Sequence, residues 1–119
     1  MYQGGNVTVM VSDMDRAVRF YTEALGLTLK LRYGDGWAEV QGPGITLGLH
    51  PARPGGPTGG QAGGLSIGLQ VDDLDAAVAT LEKRGVEFRG VIEGQGVRLA
   101  NFQDPDGTPL YLGQSTASS

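Results

Sequence analysis

The sequence predicts an α+β fold of two tandem βαβββ modules. Three observations lead there. The phrase "VSDMDRAV" at Val11–Val18 returns as "VDDLDAAV" at Val71–Val78, sixty positions later in a chain of 119 residues. Each copy is preceded by a run in which apolar and polar residues alternate. Each copy is followed by apolar residues at helical spacing. Period two marks a half-buried strand, and a period near 3.6 marks a helix with one apolar face.

In the first half, "NVTVMV" sets Val7, Val9 and Val11 on one face and Asn6, Thr8 and Met10 on the other. Met14, Ala17, Val18, Tyr21 and Leu25 then form one helical stripe. Asp13 is a suitable N-cap, Asp15 suits the positive end of the helix dipole, and Gly26 suits the left-handed stop. Three strand patterns follow: "LTLKLRY", "WAEVQ" and "ITLGLH", with the turn "GPG" (Gly42–Gly44) between the last two.

The second half repeats the scheme. "SIGLQV" opposes Ile67, Leu69 and Val71 to Ser66, Gly68 and Gln70. Leu74, Ala77, Val78 and Leu81 form the helical stripe, with Asp73 as cap, Asp75 in the first turn and Gly85 as stop. The strand patterns "VEFRGVI", "VRLANF" and "PLYLG" follow, and "DPDG" (Asp104–Gly107) is a good hairpin turn. The expected organisation is a first module at 1–50, a Gly/Pro-rich linker at 51–64, a second module at 65–113 and a flexible tail at 114–119. The linker "PARPGGPTGGQAGG" has too little apolar surface to order itself.

These motifs resemble the vicinal oxygen chelate superfamily, also called the glyoxalase/bleomycin resistance/dioxygenase fold. The likeness is carried by "NVTVMVSDMDRAVRFYTEALGL", "IGLQVDDLDAAVATLEKRGVEF" and "FQDPDGTPLYL", and runs over roughly residues 5 to 113. It implies a U-shaped mixed β-sheet groove with the helices outside and a substrate cavity within. Val7, Val9, Val11, Ile67, Leu69 and Val71 would then face the helices, and the alternate residues the cavity.

Metal-using members of that superfamily carry His, Glu or Gln at four cavity positions, in the first and last strands of each half. Carried over residue by residue, those places hold Asn6, Gly48, Ser66 and Tyr111. These do not supply the converging carboxylates and imidazoles that a divalent ion needs. The sequence therefore implies no metal and no cofactor, and glyoxalase or dioxygenase chemistry, which needs the metal, becomes the weaker reading. The expected ligand-binding residues are Asn6, Thr8, Trp37, Glu39, Gly48, His50, Ser66, Gly68, Gln70 and Tyr111. Gly48 and Gly68 would leave room in the groove, Trp37 would offer a flat face, and the Tyr111 hydroxyl would reach Asn6. Glu39 would meet either the ligand or Lys30 or Arg32 on the neighbouring strand. Such a set suits a small aromatic or polycyclic molecule, held without chemistry. The alternative is a metal-independent isomerase, cyclase or lyase using His50, Glu39 and Tyr111 as acid–base groups.

Composition excludes other classes. Cysteine is absent, which removes disulfides and thiol catalysis. A formal net charge of −4 argues against nucleic acid or an anionic membrane as partner. There is no P-loop, no G-x-G-x-x-G and no nucleophile elbow. A cytoplasmic homodimer binding a small molecule is the expectation.

Overall fold

The computed structural model describes residues 1–62, 65–94 and 96–115. It contains two four-stranded mixed sheets. The first has the order β1-β4-β3-β2, from β1 (Val7–Val11), β2 (Thr28–Tyr33), β3 (Trp37–Gly42) and β4 (Ile45–Pro51). The second has the order β5-β8-β7-β6, from β5 (Ile67–Gln70), β6 (Val91–Gly94), β7 (Val97–Gln103) and β8 (Pro109–Ser115). In each sheet the first and last strands pair parallel and the rest antiparallel, so the second half reproduces the topology of the first.

The helices form where the two phrases lie. Helix α1 (Met14–Arg19) starts at Asp13, whose carboxylate accepts from the Arg16 amide. Helix α3 (Leu74–Lys83) starts at Asp73, whose carboxylate accepts from the Ala76 amide. Each is held to its own sheet by the same device. Arg32 of β2 pairs with Asp15 at 2.6 Å, and Arg98 of β7 pairs with Asp75 at 3.1 Å. Gly26 and Gly85, with φ of 80° and 93°, end the two helical segments.

The core lies between helices and sheets. Val9, Val11, Ala38, Val40, Leu47 and Leu49 are buried under Ala17, Val18 and Tyr21 in the first half. Ala100, Phe102, Leu110 and Leu112 are buried with Leu74 and Leu81 in the second. The halves are joined by the β7–β8 turn. Asp104 accepts from the Tyr21 hydroxyl at 2.8 Å, and Asp106 accepts from the Ser12 amide at 3.0 Å. Among the described residues no ladder joins β1 to β5, so the two sheets keep separate edges.

Five local expectations are revised. The first helix passes into a π-helical turn at Phe20–Ala24, where the Leu25 amide bonds to the Phe20 carbonyl. Of the "VEFRGVI" run only Val91 and Ile92 lie in a strand, which continues to Gly94, because Gly90 takes φ 107° and interrupts the extended run. Val7 is not covered by a helix; it is 46% exposed at the start of an edge strand. The linker holds a short helix, α2 (Gly59–Ala62), packed on β1, while Gly63 and Gly64 lie outside the described residues. Finally, β8 runs to Ser115, into the expected tail, because Gln114 accepts from the Leu74 amide at 2.7 Å; residues 116–119 lie outside the described residues.

Candidate functional site

The faces turned away from the helices carry the residues expected to bind. Ala38 and Val40 are fully buried on the helix side, so Trp37, Glu39 and Gln41 occupy the open face of β3. The register places Glu39 opposite Gly48, and Gly48 opposite Thr8. In the second sheet Gly68 stands opposite Tyr111, and Gln70 opposite Gly113.

The two glycines do not leave empty room. A Cβ at Gly48 would overlap the Trp37 ring, and a Cβ at Gly68 would overlap the Tyr111 ring. Each glycine is a seat against which an aromatic side chain of the adjacent strand packs. This corrects the expectation of vacant space: the space is taken by the chain's own rings. It also corrects the expected Tyr111–Asn6 bond. The Asn6 carboxamide oxygen instead accepts from the Thr8 hydroxyl at 3.2 Å.

Around Trp37 a small polar cluster forms. Its indole Nε1 donates to Glu39 Oε2 at 3.0 Å, and the His50 ring stands edge-on with centroids 6.4 Å apart. His50 Nδ1 donates to the Pro51 carbonyl oxygen at 2.7 Å, which leaves Nε2 as the acceptor nitrogen. Glu39 pairs with neither Lys30 nor Arg32; Arg32 is engaged by Asp15 and Asp35.

Nine of the ten expected residues thus fall into three groups, two of which share Gly68, and Asn6 joins none. Trp37, Glu39, Gly48 and His50 gather on the first sheet. Gly68, Gln70 and Tyr111 border a cleft of about 1150 Å³, which extends to Leu27, Ile45 and Arg84. Thr8, Ser66 and Gly68 border a smaller cavity of about 290 Å³ at the seam between β1 and β5. Sequence reasoning missed the contribution of Leu27 and Ile45 to the cleft and of Thr108 to the seam cavity. Thr108 was visible only as the residue after the "DPDG" turn, and nothing in its neighbours signals a buried hydroxyl.

The residues at the four places that the resemblance assigns to metal ligands are poor donors for a divalent ion. Asn6 is exposed and bonded to Thr8, Gly48 lies beneath an indole, Ser66 offers a hydroxyl, and Tyr111 lies on Gly68. Among the described residues no three His, Cys, Asp or Glu side chains come together as a metal-holding group. No helix among the described residues is long and apolar enough to cross a membrane.

With this geometry in view, the chain's relatives are informative. The Glyoxalase/Bleomycin resistance protein/Dioxygenase superfamily profile matches residues 5–111. The chain belongs to that superfamily. A crystal structure of TnmS3, an antibiotic binding protein from Streptomyces sp. CB03234, is similar at 32% identity and a TM-score of 0.74, covering 97% of this chain and 98% of that one. The uncharacterized protein YaeR of Escherichia coli K12 is 32% identical over 118 residues, 90% of this chain and 92% of its own. A probable lactoylglutathione lyase of Vibrio parahaemolyticus is 29% identical over 126 residues, 92% of this chain and 88% of its own.

Proposed function

We propose that this protein binds a planar polycyclic aromatic molecule between its open sheet faces and sequesters it without chemical change. The observation that carries the reading is the pair of aromatic rings seated on glycine, Trp37 on Gly48 and Tyr111 on Gly68. Flat, apolar surfaces stand where other members place metal ligands, and offset stacking on such surfaces is worth about 0.5–1.5 kcal/mol per ring beyond area burial. Gln70, Thr8 and Glu39 supply the few polar contacts that would orient the ligand. The similarity to an antibiotic binding protein supports the same reading. A second copy of the chain would complete the groove by facing the open side of each sheet.

Trp37 is the sole tryptophan, so its fluorescence reads the groove directly. Titration with a water-soluble anthraquinone is expected to quench that emission to saturation. Gly68→Val, which evicts the Tyr111 ring from its seat, should raise Kd about tenfold, equivalent to roughly 1.4 kcal/mol. Absence of both quenching and calorimetric heat across a panel of planar polycyclic aromatics would discard the proposal.

One arrangement favours a second reading, an acid–base enzyme of the same fold. Glu39 and His50 flank Trp37, and the His50 Nε2 lone pair is free of the Pro51 bond. In that reading His50 or Glu39 takes a proton from the ligand, and the same group or the Tyr111 hydroxyl returns one. Unchanged turnover of a found substrate in both Glu39→Gln and His50→Ala would remove these roles.

A further inference from the structure

The polar groups beside Trp37 share one chemical sense. The indole packs against Gly48, and its single N–H donates to Glu39 Oε2 at 3.0 Å. Glu39 stands on the open face, because its strand neighbours Ala38 and Val40 are fully buried on the other. An ionised carboxylate accepts hydrogen bonds and donates none. Its second oxygen, Oε1, sits at the same tip and takes no donor from the described residues. Arg32, on the neighbouring strand, donates instead to Asp15, Asp35 and the Gly34 carbonyl.

His50 repeats the pattern. Its Nδ1 meets the Pro51 carbonyl oxygen at 2.7 Å, and a carbonyl oxygen has no proton to give, so Nδ1 is the donor. In the neutral imidazole Nε2 is then an acceptor. Nδ1 is turned back to the main chain, so Nε2, at the far end of an exposed ring, is presented outward. That ring stands edge-on to Trp37, with centroids 6.4 Å apart. Both polar neighbours of the indole therefore offer lone pairs, and neither offers a proton.

On the reading that the open faces hold a planar polycyclic molecule, we infer that this molecule brings hydrogen-bond donors to Trp37. It is a hydroxylated or amino-substituted aromatic, not one edged only with carbonyl or ether oxygens. Its protons go to Glu39 Oε1 and His50 Nε2. The bond to Glu39 is the stronger, since a hydrogen bond to an ionised acceptor is about twice as strong as a neutral one. Rings without donors still stack, but leave both acceptors without the water they had. A site built to pair with a hydroxyl rejects the analogue lacking it for that reason.

The test is calorimetry on the full chain with a naphthalene diol and its dimethyl ether, which keeps the ring system and removes the donors. The diol is expected to bind about tenfold more tightly, equivalent to roughly 1.4 kcal/mol. Glu39→Gln keeps an oxygen for the indole and sets an NH₂ group where Oε1 stood. It should weaken the diol and strengthen the ether, opposite changes that a misfolded variant would not give. His50→Phe keeps a ring beside Trp37 without the lone pair and should also narrow the ratio. Equal binding of diol and ether by the unaltered chain would overturn the inference and leave the groove reading standing. A ratio that survives both substitutions, or a Glu39→Gln variant that weakens both probes alike, would overturn it too. Failure of both probes to bind the unaltered chain would remove the groove reading and this inference together.

Discussion

At the scale of single residues, Tyr21 is the most consequential side chain outside the groove. It is fully buried, and its hydroxyl donates to Asp104, whose other oxygen accepts the amides of Asp106 and Thr108. One carboxylate therefore ties the first helix to the turn of the second sheet. Burial above all, then the negative charge of Asp104, hold the Tyr21 hydroxyl well above the usual tyrosine range. The folded state keeps this proton more tightly than the unfolded chain does. The stability this carries is fully present below a pH of about 10, the unfolded value, and is lost as pH rises beyond it. Tyr21→Phe is expected to cost roughly 1.5–3 kcal/mol at neutral pH, the range for a hydrogen bond to a charged group. Urea unfolding at neutral and alkaline pH checks both parts: the variant should start lower and lose less on alkalinisation. Equal alkaline losses in the two proteins would show that Tyr21 is not the group responsible.

At the scale of elements, the duplicated phrase is a helix-starting device, and each part has a visible task. Asp13 and Asp73 each cap a first-turn amide, and Asp15 and Asp75 each receive an arginine from the sheet. Asp13→Ala and Asp73→Ala should each cost about 1 kcal/mol, the usual worth of an N-cap. Asp15→Ala should cost less than either cap, because that ion pair is largely exposed. Denaturant midpoints of the three variants would rank them, and an Asp15 loss exceeding the cap losses would contradict the ranking. The caps were legible because each works over three residues, where sequence spacing sets spatial spacing; the arginine partners, 17 and 23 residues away, were not. The alternating strands were legible for the same reason. The π-turn at Phe20–Ala24 was not, since its apolar stripe reads like any helix. The aromatic seats were not legible either. Trp37 meets Gly48 and Tyr111 meets Gly68 only through strand pairing, so the sequence showed two glycines and not the rings lying on them.

At the scale of the whole molecule, the single chain leaves its open faces uncovered. Tyr33, Met10, Ile92 and Val97 stand on those faces at 69%, 38%, 60% and 42% exposure. The register makes the assignment, with Tyr33 opposite Trp37, Met10 opposite His50, and Ile92 opposite Leu99. The Cα radius of gyration is 14.7 Å, whereas a compact chain of this length has about 13.5 Å. Strands β1 and β5 are edges of their sheets among the described residues and border a common cavity. A second copy that set its second sheet against the first sheet of its partner would cover these exposed residues. It would also bring Trp37 of one protomer toward a ring on the other and so form a two-sided slot for a planar ligand. Dimerisation and ligand binding should then be lost together. In the double variant Tyr33→Glu and Ile92→Glu, both charges enter the uncovered faces, and light scattering is expected to report a dimer for the unaltered chain and a monomer for the variant. Anthraquinone quenching of Trp37 should fall at least tenfold in the same variant, while circular dichroism stays unchanged, because neither side chain belongs to the buried core. A variant that becomes monomeric but binds as before would place the whole ligand site within one chain.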